Sequence, residues 1–199
     1  GEVVAQTAEY NRQIRRGEDV ISRVIYAGKN KGQSELRDLV LTSINTLIDR
    51  ACDKAFSKRK AAVSENGSDP QGCTPADIVK ATIVGNSIMM HLLLGIPAES
   101  IRQSPFVPAI NKLPVFNARD VGLDIYKDAR VICLPGVASY VGADITAGVL
   151  SSGLDDKEEV TLFMDIGTNG EIVLGDRDWL VTCACSAGPA FEGAGVVDG

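Results

Sequence analysis

The chain has 199 residues, 45% of them apolar, with a mean hydropathy of +0.07, a formal net charge of −6 and an isoelectric point near 4.9. That composition describes one large globular domain or two small ones, and it excludes nucleic acid as the main partner, because phosphate-backbone binding needs a basic face. No apolar run approaches the ~20 residues of a membrane span, and residues 1–17 lack the charged-then-apolar plan of a signal peptide, so a cytoplasmic protein without membrane contact is expected.

Val3 and Ala5 alternate with Val4 and Gln6, which predicts a strand over residues 1–11. Gly17-Glu18-Asp19 opens a helix whose Val20, Ile21, Val24 and Ile25 form a stripe ending near Gly28. From Ser34 to about Phe56, Leu36, Leu39, Val40, Ile44, Leu47, Ile48 and Ala51 recur at three- and four-residue steps and predict a long helix with Ser34 as N-cap. Residues 61–75 are rich in Ser, Asn, Gly, Pro and Asp and read as a loop.

Residues 77–84 have the composition of a buried strand, and Gly85-Asn86-Ser87 turns it into the helix IMMHLLLG, which Gly95 and Pro97 terminate. The lone His91, among Met89, Met90, Leu92 and Leu93, reads as packed or helix-surface rather than catalytic. Residues 98–130, with Pro105, Pro108 and Pro114, are expected to be mostly extended, with a short helix near Ala118–Val121, before a strand at 130–134. The segment VASYVGADITAGVLSSGL reads as a helix of small residues in which Asp144 is either solvated or a carboxylate aimed at a cleft.

Residues 160–175, VTLFMDIGTNGEIVLG, read as strand, tight polar turn, strand, with Asn169-Gly170 as the turn. The turn also has the composition of a phosphate cradle. Gly167 and Gly170 let backbone N–H groups approach an anion, Thr168 and Asn169 offer side-chain donors, and Asp165 can hold Mg through water. A strand Trp179–Cys183 follows, then a glycine-rich loop over 186–195 whose free N–H groups suit an anion. The five cysteines, at 52, 73, 133, 183 and 185, match neither a disulfide framework nor a zinc or ferredoxin spacing, so most are expected reduced and buried. Cys183 and Cys185 share one strand face, which admits a metal role as well as the commoner core role. No internal repeat, Walker A loop, dinucleotide fingerprint or G-x-S-x-G elbow is present.

Asp144 within Gly142-Ala143-Asp144-Ile145-Thr146-Ala147, the Asp165-Ile166-Gly167-Thr168-Asn169-Gly170 hairpin and Ser186-Ala187-Gly188-Pro189 together resemble the connecting helix and second phosphate loop of the actin, sugar-kinase and heat-shock-chaperone ATPase superfamily. The resemblance implies an α/β, ribonuclease-H-like (actin-like ATPase) mixed sheet with helices on both faces. Tyr10-Asn11-Arg12-Gln13, Gly17 to Arg23, Val84 to Leu92, Ser104-Pro105-Phe106-Val107-Pro108, Leu134-Pro135-Gly136 and Cys185 to Ala194 narrow it to the ATP-dependent reductive activators of corrinoid proteins. In that family a [2Fe-2S] domain supplies the electron and the ATPase-like part couples nucleotide to reduction of Co(II) corrinoid to the methyl-accepting Co(I) form. The family's first D-x-G-T hairpin, its adenosine segment and a C-x₄-C-x₂-C run are not found here, so the chain is expected to be a fragment, incomplete at both ends, that neither binds ATP tightly nor hydrolyses it alone.

The resemblance implies residues 1–158 as a first subdomain and 159–199 as the start of a second. It assigns Gly167, Thr168, Asn169 and Gly170 to the β/γ-phosphates, Asp165 to Mg, Asp144 to the attacking water or the metal shell, and Ser186, Ala187 and Gly188 to backbone donors lining the nucleotide cleft. It also implies a corrinoid protein and nucleotide as partners, with a homodimer left open. The plainer readings are Asp165 as a turn cap, Asp144 as a solvated helix residue and 186–195 as a hinge loop. Two rival functions are a small-molecule kinase of the same superfamily and a non-catalytic scaffold that docks a corrinoid protein through 98–130.

Overall fold

The computed structural model describes residues 1–63, 72–167 and 169–186. Helix α1 spans Val20–Ala27, with the Asp19 side chain accepting from the Ser22 N–H at its start. Helix α2, Gly32–Val63, is the longest element, and its 32 residues reach roughly 48 Å at ~1.5 Å per residue. Strand β1 (Lys80–Ile83) leads into α3 (Ser87–Leu94), followed by the short α4 (Glu99–Arg102), β2 (Phe116–Asn117) and α5 (Ala118–Val121). Strand β3 (Arg130–Cys133), α6 (Ala143–Ser152) and the strands β4 (Thr161–Ile166), β5 (Asn169–Gly175) and β6 (Leu180–Ser186) complete the described elements.

The strands form two three-stranded sheets. In the first, β3 lies between β1, parallel to it, and β2, antiparallel to it, with Ala81 opposite Val131 and Phe116 opposite Val131. Helices α2 and α3 cover this mixed sheet through Val40, Leu41, Met90, Leu93, Val121 and Val131. A second cluster, Val24, Leu36, Ile88, Leu92 and Ile101, joins α1, α2, α3 and α4. The two stripes on α2 are the sequence periodicity expressed as packing.

Arg37 and Asn45 fasten α2 to its neighbours. Arg37 donates to the Leu93 carbonyl at 3.0 Å and the Val121 carbonyl at 2.8 Å, satisfying the last carbonyls of α3 and α5. Asn45 donates to the Gly122 carbonyl and accepts from the Asp124 N–H. The second sheet is antiparallel in the order β4-β5-β6 and rests on α6 through Ile145, Val149, Phe163 and Val173.

Five expectations need correction. Helix α2 starts at Gly32 and runs to Val63, so Ser34 lies inside its first turn, with Oγ donating to the Lys31 carbonyl, and is not the N-cap, and the helix continues into the expected loop at 61–63. No strand forms within residues 1–11, whose alternating apolar residues have no partner strand; Val3 and Val4 are exposed. Instead this segment runs beside α2, where Thr7 donates to the Leu47 carbonyl and Arg50 pairs with Glu9. The small-residue helix begins at Ala143, because Ala138 and Val141 form a tight bridge and Gly142 is extended. Asn169-Gly170 is not the hairpin turn, since Ile166 pairs with Gly170 and the Gly167 N–H donates to the Asn169 carbonyl, which puts both residues in β5. Finally, only Cys52 and Cys133 are buried, while Cys183 and Cys185 are exposed on β6. The short helix expected near Ala118–Val121 forms there.

Candidate functional site

The site is built where the second sheet meets the start of α6. Along β4, Thr161, Phe163 and Asp165 share one face, and along β5 their register partners Gly175, Val173 and Glu171 share it too. Phe163 and Val173 spend that face on apolar contact with α6. The next pair along the ladder, Asp165 opposite Glu171, therefore arrives at the first turn of α6, where Asp144 stands.

Two glycines permit this approach. A Cβ on Gly148 would lie 2.4 Å from Phe163 Cζ, so only glycine lets the ring seat on the helix. At Gly142, a Cβ would lie 2.6 Å from Asp144 Oδ1 and 2.7 Å from the Asn86 Cα, so glycine is what brings the end of β1 and the start of α6 together. The Ala143 N–H donates to the Gly85 carbonyl and fixes that junction.

Between these elements lies a cleft of about 210 Å³ lined by Val20, Asn86–Ile88, Ser139, Tyr140, Asp144, Asp165, Gly167, Asn169 and Glu171. It holds three carboxylates and, among the described residues, no Lys or Arg. Burial pushes the Asp144 carboxyl above its ordinary range, the Asp165 charge acts the same way, and the Ile145 N–H, donating at 3.0 Å, opposes them. Burial likewise raises Glu171, with the charges of Asp144 and Asp165 adding to it.

The structure thus brings Asp144, Asp165, Gly167 and Asn169 to one cleft. Gly170 follows on β5 with its carbonyl accepting from the Cys185 thiol at 3.3 Å, and it is not among the lining residues. Ser186 ends β6 opposite Asn169. Thr168, Ala187 and Gly188 lie outside the described residues, as does the rest of the glycine-rich loop. Glu171 was missed in the sequence; the signal that could have found it is register, because a carboxylate across the hairpin from Asp165 must share its face.

Some polar groups near the cleft are occupied by the fold itself. Asn86 Oδ1 caps α3 by accepting from the Met89 N–H at 2.9 Å, and Ser87 Oγ donates to the Ala138 carbonyl. His91 is buried, with Nδ1 bonded to the Ser87 carbonyl at 2.6 Å and Nε2 accepting from the Ala109 N–H at 3.2 Å. Both ring nitrogens are engaged as a neutral imidazole requires, and the side chain is structural.

A family model described as the RACo middle region matches residues 1–157. The chain belongs to the RACo family. A second model, the C-terminal domain of RACo, the ASKHA domain, matches residues 159–199. Among curated relatives, corrinoid activation enzyme RamQ of Eubacterium limosum is 31% identical over 200 residues, covering 100% of this chain and 31% of that protein. The [Co(II) methylated amine-specific corrinoid protein] reductase of Methanosarcina barkeri is 34% identical over 86 residues, 43% of this chain and 16% of that protein. A solved structure described as a reductive activator for corrinoid, iron-sulfur protein superposes with a TM-score of 0.79 at 46% identity, over 94% of this chain and 27% of that one. The chain thus spans under a third of the length of these relatives, and within the RACo family its fold is the actin-like, ribonuclease-H-like ATPase fold.

Proposed function

We propose that this chain forms part of a cytoplasmic ATP-dependent activator that reduces Co(II) corrinoid protein to the Co(I) state for methyl transfer. The reading rests on the relatives' activities together with one geometric observation: Asp144, Asp165, Gly167 and Asn169 converge on a single cleft. In this reading the hairpin backbone receives the β- and γ-phosphates, Asp165 positions Mg through water, and Asp144 orients the attacking water or the metal shell.

The residues fit such a ligand. A cleft with three carboxylates and no described Lys or Arg repels a bare polyphosphate, so a hard, oxygen-seeking cation must accompany it. Among the described residues no group of three His, Cys, Asp or Glu side chains is placed to hold a metal ion by itself. That suits Mg, which keeps several waters and is bound through one or two carboxylates plus phosphate oxygens. Bound Mg-nucleotide would supply phosphoryl-transfer free energy, while Asp165 and Asp144 keep water and cation in place. The cysteines do not fit an iron–sulfur cluster, because no group of three or more converges among the described residues, so the electron would come from a [2Fe-2S] centre held elsewhere.

The test is nucleotide-dependent appearance of Co(I) absorbance in a corrinoid protein, using the full-length activator. Asp165→Ala is expected to abolish the nucleotide dependence with an unchanged far-ultraviolet circular dichroism spectrum. Undiminished Co(I) formation in that variant would remove the assignment, and a phosphorylated small-molecule acceptor would point to a kinase instead.

A further inference from the structure

Asn169, Glu171 and Val173 share one face of β5, and the ladders on either side fix what flanks them. Val173 is buried against α6, so the strand cannot turn that face elsewhere without losing the contact. Glu171 is thereby held between Asp165 of β4 on one side and Ala184 of β6 on the other, and it lines the cleft together with Asp165, Asn169 and Asp144. Directly opposite residues of an antiparallel pair have Cβ atoms ~5 Å apart, close enough for both carboxylates to reach the waters of one hydrated cation. Ala184 brings only a methyl group, and none of the ion pairs among the described residues includes Asp144, Asp165 or Glu171. Like charges directly opposite on a sheet repel, and a bound cation is the group that turns this repulsion into attraction.

We propose that Glu171 is a positioning residue of this cleft: with Asp165 it holds the waters of the Mg that accompanies the phosphates, so that the cation is shared between β4 and β5. The proposal rests on the nucleotide reading of the cleft and adds to it a residue which that reading leaves without a role. The arrangement of strands suits the task. β5 is the central strand, paired on both sides, and so gives the second carboxylate a fixed place opposite the first. Glu171 acts through the water shell of the cation and not on the reacting phosphate, so its removal should loosen the cation before it touches nucleotide affinity as such.

The test titrates full-length activator with a non-hydrolysable ATP analogue by calorimetry over a series of Mg concentrations, for wild type and Glu171→Gln. The variant should need about tenfold more Mg for half-maximal nucleotide binding, the usual consequence of losing a group that orients a metal's shell. At saturating Mg its affinity for the analogue should return to within about threefold of wild type, and its melting temperature without ligand should not fall below wild type. Wild type that binds Mg-nucleotide beside a variant whose Mg requirement is shifted by less than about threefold overturns the proposal and leaves the nucleotide reading standing. Affinity lost equally at every Mg concentration overturns it too, because Glu171 would then be part of the cleft wall alone. Wild type that fails to bind Mg-nucleotide removes the reading of the cleft, and this proposal with it.

Discussion

Asp165 on β4 and Glu171 on β5 are register partners across the hairpin, and both face Asp144 in the first turn of α6. Three carboxylates thereby meet in a cleft whose described lining has no basic side chain.

Their mutual repulsion should be measurable as pH-dependent stability. Asp144 and Glu171 have folded-state pKa values raised above their ordinary ones, so the folded state binds more protons than the unfolded state in that interval. Stability should therefore fall as pH rises from the ordinary carboxylate range through the raised values. Glu171→Gln should flatten this slope and raise the neutral-pH melting temperature by about 2–4 °C, the equivalent of ~1 kcal/mol for a domain of this size. Thermal melts between pH 4 and 8 provide the check, and a wild-type slope retained in the variant would count against the arrangement.

For nucleotide, Asp165→Asn in the full-length protein should weaken Mg-nucleotide binding at least tenfold, ~1.4 kcal/mol, without lowering the melting temperature. Titration calorimetry with and without Mg checks this. The wild-type affinity should itself collapse when the cation is removed by chelation, because the cleft's own charge is negative.

Gly148→Ala should invert the usual helix rule. In an exposed helix interior that change stabilises by about 1 kcal/mol. Here the new methyl would meet the Phe163 ring at 2.4 Å, and overpacking should cost about 1–3 kcal/mol instead. Denaturant unfolding gives the sign directly, and Phe163→Leu in the same background should recover part of the loss.

His91 is the sole histidine, so one imidazole resonance reports on it. Burial lowers its folded pKa below the ordinary 6.5, with the Ser87 carbonyl opposing. Its contribution to stability is present above the ordinary value and lost as pH falls below it, because the unfolded state then takes up a proton that the folded state refuses. Proton NMR should show the folded imidazole titrating at lower pH than an unfolded one, and His91→Phe should destabilise by leaving the Ala109 N–H unpaired.

Much of this protein was legible from local pattern. The three- and four-residue spacing of Leu36, Val40 and Ile44, the Asn86 cap before a run of apolar residues, and the apolar runs on either side of Asp165 each encode an element by short-range rules. The motif set, read in combination, also placed the chain in its family. What local pattern could not supply is anything that needs a partner from elsewhere in the chain. Val3 and Val4 alternate like a strand, yet with no strand beside them they lie exposed along α2. Asn169-Gly170 has the composition of a turn, yet pairing with Ile166 and Cys185 draws it into β5. Glu171 looks like an ordinary polar strand residue until register sets it beside Asp165. The sequence by itself determined most of the elements, the family and the Asp165 hairpin, because these follow from spacing and side-chain type. Tertiary structure decided which carboxylates share the cleft, because that depends on register and on two glycines, Gly142 and Gly148, that let backbone and ring approach where any Cβ would clash.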